Sequence, residues 1–214
     1  MIQAACPVAL FAGDIAAADR AVTMLLGLSD QHAMLGWNVW DRCYQAVLLA
    51  KQGDLAIASR LLRAALGDLA KARFRHLFDY TFLTAELASV LGLTGGAAQG
   101  LAAIEGALAL SERNEERWCV AELLRIKGEL LLLQAEEGAA AAGENHFRQA
   151  LDCAHRRGTL SWELRAATSL ARVRHDQGRS ALQPVYDRFT EGFDTTDLKA
   201  AKALLAELVQ MAVQ

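Results

Sequence analysis

The chain has 214 residues, long enough for one large core, two small ones, or a row of stacked units whose core runs through neighbours. Hydrophobic residues make up 53% of it and charged residues 22%; the excess is Ala and Leu, both strong helix formers, broken only by Pro7 and Pro184. A net charge of -3 excludes a global basic footprint for nucleic acid and a polybasic membrane tail. The start MIQAACPVALFAG lacks a signal peptide's positive region, and no run reaches the ~18 apolar residues of a membrane span, so a soluble cytoplasmic protein is expected.

A triplet recurs along the chain: a small residue, a large apolar residue four later, and an apolar residue three later. It occurs as Ala18, Val22, Leu25; Ala58, Leu62, Ala65; Gly100, Ile104, Ala107; and Gly143, Phe147, Ala150, in steps of 40, 42 and 43. Offsets of four and three share one helical face, and a small leading residue admits a neighbouring helix, so each triplet marks the second helix of a pair. In chain order, residues 1–30 form a first unit that turns at Gly13. Residues 31–73 form a second, with a first helix over 33–52 and a turn at Gly53. The third, 74–114, has a first helix over 75–92 and a turn at Gly95; the fourth, 115–158, has one over 116–135 and a turn at Gly138. The fifth, 159–192, has a first helix over 160–177, with Gly178 opening its turn. A helix over 195–212, striped by Leu198, Ala201, Leu205, Leu208 and Ala212, is expected to cap the row and cover Phe189 and Phe193. The whole chain reads as one all-α domain.

Residues that could carry chemistry have structural readings. The segment HFRQALDCAHRRG, 146–158, gathers two histidines, a cysteine and three arginines. Phe147 and Ala150 belong to the core stripe, and His155, Arg156 and Arg157 sit in a last turn where cations complement the helix dipole. Cys6, Cys43, Cys119 and Cys153 contain no C-x-x-C pair and read as buried free thiols. His32, His76, His146, His155 and His175 show no H-x-x-x-H spacing, so no metal site is expected. GLTGGAAQG, 92–100, has no lysine or arginine and reads as an interhelical turn, not a phosphate cradle. Glu115/Glu116 and Glu136/Glu137 read as solvated helix ends. No G-x-S-x-G or G-x-x-x-x-G-K-[ST] occurs, and neither catalytic residues nor a cofactor are expected. Charge is uneven: residues 101–145 carry nine acids and four Lys or Arg, whereas 146–179 carry seven Arg and three acids.

The triplet resembles the second helix of tetratricopeptide repeats, and Ala88/Leu91 and Gly128/Leu131 resemble the small and large positions of the first helix, although the period exceeds that family's roughly 34 residues. ACPVAL (5–10), SERNEERWCVAELLRIKGELLLLQ (111–134), SWELRAATSLAR (161–172) and FTEGFDTTDLKAAKALL (189–205) together resemble the carboxy-terminal repeat region of bacterial STAND-type signalling proteins, which are predicted ATPases, transcriptional regulators or nucleotide cyclases. The segment 177–189 is about five residues shorter than that family's pattern. The resemblance implies a right-handed superhelix of helix pairs whose first helices line a concave groove. Carried onto this chain, the register places Trp40, Cys43, Val47, Phe82, Ala85, Ser89, Glu122, Arg125, Glu129, Arg165, Thr168 and Arg172 in that groove, with Arg165 and Arg172 available for a carboxylate or phosphate. The implied function is a noncatalytic interaction or sensor module binding a protein or peptide, which could include upstream domains of the same regulatory system. No membrane partner is expected. The alternative is a nucleic-acid-binding solenoid using the arginines of the last two units.

Overall fold

The computed structural model describes residues 2–32, 37–71 and 79–211, and among them there are eleven α-helices and no strand. The chain forms two compact units, Met1–Glu115 and Glu116–Gln214. Their boundary falls within a residue of the expected junction between the third and fourth repeats. The first unit holds α1 (Ile2–Ala12), α2 (Ile15–His32), α3 (Trp37–Gln52), α4 (Leu55–Lys71), α5 (Asp79–Leu93) and α6 (Ala97–Arg113). The second holds α7 (Val120–Gln134), α8 (Ala139–Arg157), α9 (Leu160–Val173), α10 (His175–Tyr186) and α11 (Thr196–Met211).

Consecutive helices pack as pairs: α1 with α2, α3 with α4, α5 with α6, α7 with α8, and α9 with α10. Each pair is closed by the triplet the sequence repeats. Ala18, Val22 and Leu25 of α2, Ala58, Leu62 and Ala65 of α4, Gly100, Ile104 and Ala107 of α6, and Gly143, Phe147 and Ala150 of α8 are all buried. The small residues permit the approach. A Cβ on Gly128 of α7 would stand 2.6 Å from the Phe147 ring, and one on Gly143 would stand 3.0 Å from Leu132. First helices also touch one another: α1 meets α3, α3 meets α5, α7 meets α9, and α9 meets α11.

The helices stop where the chain turns left-handed. Gly13, Gly53, Gly95 and Gly158 have φ of 71°, 101°, 86° and 67°. In each case the next N–H reaches back five residues: Asp14 to Ala9, Asp54 to Leu49, Gly96 to Leu91, and Thr159 to Ala154. This satisfies carbonyls that the ending helix leaves open. Asp14 then caps α2, its Oδ1 accepting the Ala17 N–H at 2.9 Å. Gly138 has a different task. Here α7 ends on left-handed Ala135, and Gly138, at φ 81°, opens α8.

The fifth pair departs from expectation. α9 ends at Val173, the break lies at Arg174 (φ -120°, ψ 72°), and Gly178 is inside α10. A Cβ on Gly178 would lie 2.8 Å from the Cα and carbonyl oxygen of Ala171. Gly178 is therefore a pair-closing residue, not a turn glycine: Gly178 with buried Leu182 and Val185 is a fifth triplet, only 35 residues after Gly143. Read as a turn, it conceals that triplet.

α11 packs on α9 and α10. Leu198, Ala201, Leu204, Leu205 and Leu208 join Leu164, Ala167, Ala171, Leu182 and Val185 in one buried cluster, with Phe189 and Tyr186 packed at its edge. Phe193 is not covered as expected. It is half-exposed because the chain turns at Gly192 (φ 74°) and lays its ring against Tyr186, centroids 6.1 Å apart. Ala212 of the expected stripe lies outside the described residues, as does His76.

Candidate functional site on the first helices

In the first unit, the residues assigned to a groove are mostly interior. Trp40, Cys43 and Val47 of α3 and Phe82 and Ala85 of α5 are buried; Ser89 is half-buried. Phe11, at the end of α1, sets its ring edge-on against Phe82, centroids 4.4 Å apart at 82°. The apolar face expected to be open is thus covered within the chain, because large apolar side chains at three and four spacing gather whatever apolar surface lies nearest.

Polar groups are buried beside it. Tyr44 of α3, 1% exposed, donates its hydroxyl hydrogen to Asp79 Oδ2 at 2.5 Å, while Asp79 Oδ1 is buried without a partner. Burial raises the Asp79 carboxyl above its ordinary range, against the pull of the Tyr44 hydrogen bond. Burial also pushes the Cys43 thiol up to about 12 and the Cys6 thiol up to about 11, so both stay protonated and act as small apolar groups. Cys119 in the second unit is likewise pushed up to about 12. Cys153 is only half-buried, contrary to the expectation of four buried thiols.

The second unit brings the charged register positions together. Glu122 of α7, with 3% of its side chain exposed, accepts two hydrogen bonds from Arg125, Nε to Oε2 and Nη2 to Oε1, each at 2.8 Å. Arg125 Nη1 also donates to Glu129 Oε1, which accepts the Ser169 hydroxyl of α9 at 3.0 Å. Arg165 of α9 donates from Nε to Asp197 Oδ2 of α11 at 2.6 Å and from Nη1 to Glu122 Oε1 at 3.4 Å. One ionic lattice therefore joins α7, α9 and α11. Burial opposes the charge on Arg165, yet the carboxylates of Glu122 and Asp197 outweigh it, and its pKa stands above the ordinary value. Arg165 is accordingly not available for an outside anion as expected: its guanidinium is already held inside the unit. Thr168 is buried and donates to the Leu164 carbonyl at 2.7 Å; Arg172 is exposed.

Sequence reasoning missed Asp197 and Ser169. Their signal lay in register: Leu164, Ala167 and Ala171 recur 34 residues later as Leu198, Ala201 and Leu205, which sets α11 beside α9 as another first helix. Two further carboxylates were also missed as anchors. Glu163, buried on α9, accepts at Oε1 from Arg188 at 2.6 Å and lies 2.9 Å from His155 Nδ1, while its Oε2 is buried without a partner. Glu144 takes Arg148 at 2.7 Å and Arg174 at 3.0 Å, and these hydrogen bonds hold its carboxyl below the ordinary range. Within 146–158, then, His155 and Arg148 serve internal pairs, and burial, with the charge of Lys127, lowers the His146 pKa. Among the described residues no three His, Cys, Asp or Glu side chains gather as metal ligands, and no helix is long and apolar enough to cross a membrane. Comparison of the chain with protein-family models and with curated proteins finds no match.

Proposed function

We propose that this chain is a noncatalytic interaction module of a regulatory protein, binding a protein or peptide segment along the exposed side of its first helices. The observation that carries the reading is the side-by-side contact of first helices within each unit, α3 with α5, α7 with α9, and α9 with α11. Such a row offers an extended segment several side chains at similar spacing, each from a rigid element, which is how helical repeats present a binding surface. The resemblance to the repeat region of STAND-type regulators adds the setting: a cytoplasmic signalling or transcription regulator whose upstream domains respond when a partner is engaged. A partner can bias those domains only as far as it binds their two states differently. The nucleic-acid alternative is weakened because Arg148, Arg165 and Arg174 of the basic segment are already paired with carboxylates.

The test is site-specific photo-crosslinking from Ser89 and Arg172 on the first helices, compared with Arg60 and Gln149 on exposed parts of second helices. Protein adducts confined to the first pair of positions are expected. Adducts to nucleic acid, or equal labelling from both pairs, would overturn the reading.

A further inference from the structure

We infer that the first-helix face of the second unit takes an acidic peptide segment, held by Arg172 of α9 and by Lys199 and Lys202 of α11. This deepens the interaction-module reading and rests on it. The 34-residue recurrence between α9 and α11 puts Lys199 in the register of Arg165 and Lys202 in that of Thr168, positions that lie on the same side of their helices. All three cations are exposed. The carboxylates of this face, Glu122, Glu129 and Asp197, are each engaged by Arg125 or Arg165. Those acids are therefore committed to their own arginines, while the exposed charges of α9 and α11 are three cations, Arg172, Lys199 and Lys202, against one acid, Glu207.

The lattice beneath makes that surface firm. Arg165 and Asp197 fix the amino-terminal turn of α11 against α9, and the leucines of α11 are buried on the other side of the same helix. The lysines thus project from an immobilised backbone, which lowers the ordering cost of binding. An extended acidic chain, carrying a carboxylate on each residue, can meet several of these cations at once. Repulsion from like charge disfavours a basic segment on the same face.

The probe is fluorescein-labelled hexaglutamate, titrated into the full chain at low salt and followed by anisotropy. Binding should weaken by about tenfold or more in the variant Arg172→Glu, Lys199→Glu, Lys202→Glu, and with rising ionic strength. The variant Arg60→Glu, Arg63→Glu, altered on α4 of the first unit, should bind as the unaltered chain does. All substituted residues are exposed, and each variant should keep its helices by circular dichroism. Absence of binding, or equal loss in both variants, overturns the inference; so does tighter binding of labelled oligothymidine lost in the same triple variant, which assigns the face to nucleic acid. If protein adducts still form at Ser89 and Arg172 while hexaglutamate does not bind, the interaction-module reading survives and this inference does not.

Discussion

Gly178 and Gly106 both lie within helices of the fold, which gives them opposite roles. An added Cβ at Gly178 would meet the backbone of Ala171, which cannot swing aside, whereas at Gly106 of α6 nothing lies within 4 Å. Gly178→Ala should therefore destabilise by about 1–3 kcal/mol through overpacking. Gly106→Ala should stabilise by about 0.4–1 kcal/mol by restricting the unfolded chain. Thermal melts followed by circular dichroism should move in opposite directions; a shift of the same sign in both would show that the close approach is not what fixes Gly178. Asp79 offers a second test at this scale. Its folded pKa is raised, so the stability it contributes is full below the unfolded carboxylate pKa of ~3.9 and is lost as pH rises through the folded value. Asp79→Asn keeps an acceptor for the Tyr44 hydroxyl and removes the buried charge. It should melt higher than the parent at pH 7, the gap closing toward pH 4; a gap independent of pH would refute the assignment.

Among the elements, α11 shows most plainly how a helix can serve two surfaces. One side is a leucine stripe set into the cluster with α9 and α10, and the other carries Lys199 and Lys202. Leu205, 7% exposed, contributes roughly 1.5–3 kcal/mol by burial, and Leu205→Asp also places a carboxylate in an apolar cluster. That variant should unfold at clearly lower urea concentration, while Glu207→Gln on the exposed side should stay within about 0.5 kcal/mol of the parent. A Leu205→Asp midpoint equal to the parent's would mean that α11 covers nothing. The elements also share smaller ties. Arg63 reaches Gln99 at 3.4 Å and Arg148 reaches Gln177 at 3.5 Å; each arginine stands five residues after its triplet's leading small residue, and each glutamine one before the next. A hydrogen bond near the distance limit adds little strength, but its recurrence shows that second helices keep one register across unlike sequences.

At the scale of the molecule, helix content and pairing were legible because the three-and-four spacing of Ala and Leu is a local signal that neighbouring residues suffice to carry. The seats of Ala18, Ala58, Gly100 and Gly143 follow from it directly. The turn into α10 was not legible, since glycine serves both left-handed turns and close helix contacts, and only packing decides between them. The charged face was legible as a list of residues but not as a set of partners. Arg165 and Arg172 are seven residues apart on one helix, yet one is locked between Glu122 and Asp197 while the other is exposed. Which carboxylate meets which guanidinium depends on residues 32 and 43 positions away, and a single sequence holds no trace of those distances.

The 35-residue step that ends at Gly178 bears on how such a chain can change over generations. The shorter step is absorbed in the links, residues 158–159 between α8 and α9 and Arg174 alone between α9 and α10, while Gly178, Leu182 and Val185 keep their places against α9. Length changes in the links between helices should thus be tolerated, whereas those within a triplet should break the pair contact. Relatives of this chain should then align by the triplets even where their total lengths do not agree.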